Sequence, residues 1–383
     1  MLIGQQVTIL GAGIGGLAAA LACAKRGASV TVLEQAPEIT EVGAGLQISP
    51  NGWVVLDALG VVPRLTALRG QAVRLRDFRR GAEVFAMPLT RPFHFVHRAD
   101  LIDALRDAAL EAGVTLRLGV QVDAVEIDGD HVHLTLADGS EETHGLSIAA
   151  DGLTSAARSQ LNPKSRPFFT GQVAWRATVP WDGLAPEAHV FMGPGRHLVR
   201  YPLRGGALVN IVAVEERDAW AAEGWSHRDE PRHLRQAFAD FCPEIRDLLD
   251  HVAAPNLWGL FRHPVASNWH RGPLALLGDA AHPTLPFLAQ GANMALEDAW
   301  ALAACLADAD EIPQALSRYQ ALRRPRVARA VEAANDNAKN YHLSPGPYRF
   351  AAHGALRLAG RFAPHIVTNR FNWLYDHDVT RIA

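Results

Sequence analysis

The chain has 383 residues, 49% apolar and 20% charged, with a formal net charge of −3. This length and apolar share support more than one buried core and exclude a disordered chain. So weak a net charge gives no reason to expect nucleic acid or an anionic membrane as partner.

Cys23, Cys242 and Cys305 stand apart, without metal or redox spacing, and read as buried thiols of a reducing compartment. The apolar N-terminal stretch is interrupted by glycines and has no basic residues before it, so it does not read as a signal peptide. No run of about 18 apolar residues follows. The expected location is the cytoplasm, with no membrane span.

In chain order, Val7–Leu10 predicts a buried parallel strand. Gly11-Ala-Gly13-Ile-Gly15-Gly16 then turns the chain into an Ala-rich helix reaching about Arg26. This is the strand–G-x-G-x-x-G–helix context of a dinucleotide site. Gly11 supplies the turn, Gly13 admits a pyrophosphate to the backbone, and Gly16 lets the helix lie close on the strand. A second strand from Ser29 ends in Glu34 and Gln35, about twenty residues past the glycines, where a ribose-binding carboxylate belongs. The competing reading is a glycine-rich turn kept for packing.

Gly43 to Gly52 is a glycine-rich segment carrying Gln47, either a wall beside a bulky ligand or a plain loop before a helix from Trp53 to Leu59. Residues 72–96 alternate as a hairpin, with Gly81 in its turn. Arg98 follows where an extended segment meets a helix start, a position suited to phosphate or to an ordinary surface charge. From Val114 to Ile148 short strands are joined by Asp128-Gly129 and Asp138-Gly139, and the last strand delivers Asp151-Gly152. Ser155 and Arg158, expected on a first helical turn, suggest a second polar site there.

From about Phe168 to Trp258 the pattern changes to successive strands with glycine-rich turns, followed by a helix from His233 to Ala239. This predicts an antiparallel sheet covering the reactive end of the ligand. Trp175, Phe191, Tyr201 and Trp220 are candidates for its pocket wall or its core. A buried strand then ends in Gly278-Asp279, and a loop with His282 and Pro286 leads to Gln290-Gly291-Ala292-Asn293, opening a helix. Free N–H groups at that helix start favour a negative charge. His282, followed by Pro283 and without metal spacing, reads as structural. Arg323, Arg324, Arg326 and Arg329 on the next helix suggest a solvated or bracing face. A tail from residue 345 carries Trp373-Leu-Tyr375.

These motifs together, Gly11-x-Gly13-x-x-Gly16 with Glu34, Asp151-Gly152, and Gly278-Asp279 through Gln290-Gly291, resemble the single-component flavin-dependent aromatic hydroxylases. Within them the chain is most similar to the branch of salicylate hydroxylase, 3-hydroxybenzoate 6-hydroxylase and 6-hydroxynicotinate 3-monooxygenase. Arg196 to Gly206 and Trp373 to Asp378 match that branch too.

The resemblance implies an α/β fold with an α+β second part: a Rossmann-like FAD-binding domain (1–71, 97–167 and 259–344), an inserted antiparallel sheet domain for substrate (72–96 and 168–258), and a C-terminal helical tail (345–383). It implies FAD reduced by NADH or NADPH, reaction with O2 to a C4a-hydroperoxide, and oxygen transfer to a small phenolic or heteroaromatic acid. A monomer or homodimer is expected, with no metal.

By the same resemblance Glu34 binds the adenosine ribose, Arg98 the pyrophosphate, and Val122 borders the adenine. Asp151 serves both FAD and the nicotinamide, and Asp279 holds the ribityl chain. Gly291, Ala292 and Asn293 present backbone to the flavin ring. Gln47 stands where some relatives place a histidine near substrate, and Tyr201 and Pro286 shape the substrate pocket. Ala289 replaces the first glycine of the family's Pro-x-x-Gly-Gln-Gly. His197 is the candidate base for the phenol, or else a hydrogen-bonded sheet histidine. A flavin oxidase or reductase, and a dinucleotide-binding protein without chemistry, are the alternatives.

Overall fold

The structure is a computed structural model and describes residues 2–39, 44–163, 167–218, 228–344, 346–362 and 369–381, apart from the side chains of 336–340, 359 and 361. Apolar runs fully covered on both sides form its first layer. Gln6–Leu10 and Ser29–Glu34 pair in parallel at the centre of a six-stranded sheet. Thr115–Leu118 flanks them on one side, and Ser147–Ala149 then Leu274–Leu276 on the other, all parallel. Helices Ile14–Ala24, Arg98–Glu111 and Gly291–Asp308 pack together beside this sheet. Two long-separated strand ends, at Leu10 and Leu276, thus deliver Gly11 and Gly278 to the same edge of the sheet, with the end of Ser147–Ala149 between them.

The second layer is a seven-stranded sheet in the order Asn256–Arg262, Phe168–Pro180, Leu208–Glu216, Arg196–Leu203, Glu187–Gly193, Ala72–Asp77 and Glu83–Pro88. It is antiparallel except that Ala72–Asp77 joins Glu187–Gly193 in parallel. Alternation divides its two faces. Val173, Trp175, Phe191, Leu198 and Ile211 form a core with helices Pro231–Ala237 and Pro243–Asp250, the second of which the sequence reading missed. Arg176, Val190, Val199, Tyr201 and Val212 face the other way, toward the first layer. His94–His97 does not extend the expected 72–96 hairpin. It pairs instead with Gly45–Ile48 and Leu68–Arg69 in a small sheet between the layers.

Helix Gly291–Asp308 is held by a buried charged cluster. Glu297 and Asp298 are both 0% exposed and Arg323, from helix Ile312–Tyr341, is 1% exposed. Arg323 donates to Asp298 at 2.7 Å and also to Glu297. Arg326 grips Glu297 with two bonds of 2.8 Å and donates to the Trp373 and Leu374 carbonyls, tying the tail to its own chain. His282 meets Asp298 at 2.5 Å and stacks on Trp269, which makes it structural. Burial alone would raise both carboxyls, but Arg323 with Arg326 at Glu297, and His282 with Arg323 at Asp298, outweigh it and hold both below the usual range. Arg323 and Arg326 therefore brace the fold rather than forming a solvated face.

Replacing Arg323 by Met leaves two buried carboxylates short of their main cation. Urea unfolding should show a loss of about 3–5 kcal/mol; a loss below about 1 kcal/mol contradicts the role given to the cluster.

Candidate active site

The two layers enclose a cavity of about 700 Å3. Its lining includes Gly13, Gly15, Gln47, Arg98, His197, Tyr201, Asp279, Pro286, Gly291 and Ala292, residues scattered over most of the sequence. Gly11, Gly16, Glu34, Gln35, Val122, Asp151 and Asn293 are not part of that lining.

The glycine turn divides into packing and ligand positions. A Cβ on Gly16 would sit 1.9 Å from the Gly11 carbonyl oxygen, and one on Gly11, at φ +97°, 2.6 Å from the Ala150 oxygen. A Cβ on Gly13 would meet nothing within 4 Å, so nothing in the protein fills the space before this helix start. Gly13 caps the helix with no side-chain hydrogen bond, leaving first-turn N–H groups available to an anion. Beside them Glu34 accepts from the Ala12 and Ala36 N–H groups at 2.7 and 2.9 Å. A carboxylate has further lone pairs for hydroxyls. Gln35 is exposed next to it, and Val122 is half-buried at the start of its strand.

Asp279 sits in a short 3-10 turn after Leu274–Leu276, its surface open to the cavity rather than to bulk water. Desolvation by the surrounding protein raises its pKa, partly countered by His282, Arg98 and His263. A carboxylate whose surface opens into the cavity keeps lone pairs for a ligand hydroxyl. Asp151 accepts from the Ala156 N–H at 3.1 Å. Of the expected polar pair beside it, Ser155 also hydrogen-bonds Asp151, whereas Arg158 is turned to other parts of the protein. Ser155 precedes helix Arg158–Leu161 and accepts the Arg158 N–H, while the Arg158 guanidinium donates to the Ala280 and Pro264 carbonyls.

At the start of helix Gly291–Asp308, the Asn293 side chain is committed to protein. It donates to the Gln47 and Ala289 carbonyls at 3.0 and 2.7 Å and accepts from the Ser49 N–H. Its contribution to a ligand is limited to backbone. Ala289 is left-handed, at φ 53°, the conformation the family's glycine takes without strain.

On the facing sheet His197 is 2% exposed and borders the cavity. The two expectations for it, base or hydrogen-bonded sheet histidine, meet in one residue. Its Nδ1 lies 2.6 Å from His342 Nε2, and His342 Nδ1 lies 2.7 Å from Glu216 Oε1. Burial, then the neighbouring His342, pushes the His197 pKa well down, so the ring is neutral. Tyr201 lines the cavity and packs on Phe95 with ring centroids 5.0 Å apart. Trp175 and Phe191 belong to the opposite face, and Trp220 and Gly43 lie outside the described residues.

Arg176 was not foreseen. It lines the cavity, stacks over Trp258 at 4.7 Å, and pairs with no carboxylate among the described residues. Its Nε is buried without a hydrogen-bond partner, and desolvation lowers its pKa. The local sequence does signal it: in Trp175-Arg176 the tryptophan takes the core face, which turns the arginine to the open one. His342, 145 residues from His197, has no such signal.

The family model "FAD binding domain" matches residues 5–334. The 3-amino-4-hydroxybenzoate 2-monooxygenase of Streptomyces platensis is 34% identical, over 99% of this chain and 97% of its own. The 3-hydroxybenzoate 6-hydroxylase of Polaromonas naphthalenivorans is 35% identical, over 97% and 96%. Klebsiella pneumoniae HpxO, solved with FAD and uric acid, superposes with a TM-score of 0.84 at 27% identity, covering 96% of this chain and 95% of that one. The chain belongs to this FAD-binding family and is an FAD-dependent aromatic monooxygenase of the hydroxybenzoate hydroxylase type. Among the described residues no helix is long and apolar enough to cross a membrane.

Replacing Ala289 by Gly relieves a left-handed alanine, worth about 1–2 kcal/mol, against about 0.4–1 kcal/mol of added unfolded-state entropy. Thermal melts should show an unchanged or higher midpoint; a clear fall contradicts the strain.

Proposed function

We propose that the chain hydroxylates a small phenolic or hydroxylated heteroaromatic acid, consuming NADH or NADPH and O2. The observation that carries this reading is one continuous cavity. It joins the glycine turn, Asp279 and the Gly291 helix start to a sheet face bearing His197 and Arg176.

When bound, FAD supplies the redox chemistry, taking hydride from the nicotinamide and using O2 to oxygenate the ring. Glu34 would hold the ribose, Arg98 the pyrophosphate and Asp279 the ribityl hydroxyls, while Val122 borders the adenine. Asp151 serves the cofactor end of the site, and the free N–H groups around Gly291 and Ala292 favour negative charge at the ring's pyrimidine edge. Gln47 and Pro286 wall the substrate. Val190, Val199 and Val212 line the same space with apolar surface, which keeps water from the reacting centre.

The substrate class follows from charge. Arg176 is a cavity guanidinium without a protein carboxylate, so a substrate carboxylate completes it. The relatives named for hydroxybenzoates act on such acids. His197 accepts the phenol proton, making the ring electron-rich enough to be attacked by an electrophilic oxygen.

Oxygen uptake with NADH or NADPH should be stimulated by 3-hydroxybenzoate, 3-amino-4-hydroxybenzoate or salicylate and coupled to a product one oxygen heavier. Hydrogen peroxide as the sole product with every acid would mark an oxidase and contradict this reading. Replacing Arg176 by Gln should weaken binding of the productive acid about 10- to 100-fold, as expected for a charged hydrogen bond of about 1.5–3 kcal/mol. The corresponding amide should lose far less, as read by perturbation of flavin absorbance. Equal losses for acid and amide would remove Arg176 from the carboxylate site.

A further inference from the structure

We infer that His342 and Glu216 carry the substrate proton from His197 to solvent, so that the three side chains act as one proton relay. This rests on the reading of His197 as the base for a phenol.

The sheet register builds the first part. His197 pairs with Val214 across neighbouring strands. Glu216, two residues further on, returns to the same face by the alternation of the strand. His342 immediately follows the long helix ending at Tyr341 and spans the gap. Its Nε2 is 2.6 Å from His197 Nδ1 and its Nδ1 is 2.7 Å from Glu216 Oε1. The Glu216 side chain is 53% exposed, that of His342 only 3%. One end of the chain therefore borders the cavity and the other reaches water.

The bonding determines the tautomers. A carboxylate only accepts, so His342 donates through Nδ1–H and its Nε2 is a bare acceptor. His197 must then donate through Nδ1–H, which leaves its Nε2 as the unprotonated nitrogen, the form a base requires. Gln172 Nε2 lies 3.4 Å from the same Nδ1; with both nitrogens carrying hydrogen it makes no hydrogen bond there, and the shorter Glu216 contact sets the tautomer. Nearby guanidiniums are engaged elsewhere: Arg196 with the Ala237 carbonyl and Asp240, and Arg217 with Glu215.

Burial explains why a lone histidine would not suffice. His197 packs against Phe287 and Tyr341, with ring centroids at 5.9 and 5.1 Å, and an imidazolium there is strongly disfavoured. A concerted shift avoids a buried cation. The phenol O–H breaks as His197 Nε2–H forms, and His197 Nδ1–H breaks as His342 Nε2–H forms. His342 Nδ1–H then breaks as Glu216 takes the proton and releases it to water. No electrons move, and both rings stay neutral. The chain resets in reverse when the product ring regains its proton.

Two measurements on the FAD-loaded protein test the relay. Nitrogen-15 histidine NMR should show His197 and His342 both protonated at Nδ1; His197 protonated at Nε2 overturns it. Stopped-flow absorbance with 3-hydroxybenzoate, 3-amino-4-hydroxybenzoate and salicylate as probes should show phenolate forming on binding. That rate should fall at least tenfold in His342→Ala and several-fold in Glu216→Gln, with FAD content and probe affinity kept, and added imidazole should restore part of the His342→Ala rate. An unchanged rate in both variants, a loss that imidazole does not rescue, or no phenolate in the wild type overturns it. Phenolate formed by the wild type at full rate without hydroxylation of any probe would contradict the proposed function and leave the relay standing.

Discussion

Two carboxylates buried side by side, Glu297 and Asp298, are the constraint on which the rest depends. Neither is tolerable without a cation, so helix Ile312–Tyr341 must bring Arg323 and Arg326 against helix Gly291–Asp308. The same carboxylates extend outward to the functional side. Asp298 fixes His282 in the loop after Asp279, and Glu297 accepts from Asn51, which donates to Gln290 immediately before Gly291. The helix start that faces the cavity is thereby held from behind by a buried network that ends on Gln290 at the cavity wall. Positioning of this kind keeps donors aimed without reorganisation during reaction.

The seven-stranded sheet imposes the second condition, the separation of packing from chemistry by strand parity. One face is filled by Trp175, Phe191 and the helices over them, which makes the sheet rigid. The opposite face can then leave Arg176 and His197 in a cavity without loss of the core. A one-residue slip in Phe168–Pro180 would exchange Trp175 and Arg176, burying a guanidinium in the core and filling the site with indole. Core and site specify the same register.

Positions where backbone geometry leaves few choices were the legible ones. Gly11, Gly13 and Gly16 announce a close approach; within the protein Gly11 and Gly16 have steric reasons, whereas the space beyond Gly13 is open. Gly278-Asp279 and Gln290-Gly291 were legible because a strand end and a helix start are both marked in sequence. Parity was not. The aromatic residues alone left pocket wall and core both open, and strand parity sends Trp175 and Phe191 to the core and Tyr201 to the cavity, whereas the rule that arginine avoids the core would have found Arg176. Ser155 does meet Asp151 beside the first fold, but the partners of Arg158, the Pro264 and Ala280 carbonyls, lie over a hundred residues away and cannot be read locally. His342 and Glu216 belong to the same class, created by tertiary contact alone.

Under the proposed function this cavity directs oxygen from O2 onto an aromatic acid, a transfer that leaves an isotopic signature. Its most direct measurement is a single turnover of the FAD-loaded protein under 18O2 with NADH or NADPH and the acid that stimulates oxygen uptake, followed by mass spectrometry. One 18O atom should enter the new ring hydroxyl for each nicotinamide oxidised. A product hydroxyl carrying oxygen from water, or nicotinamide oxidised with all the label in peroxide, would contradict it.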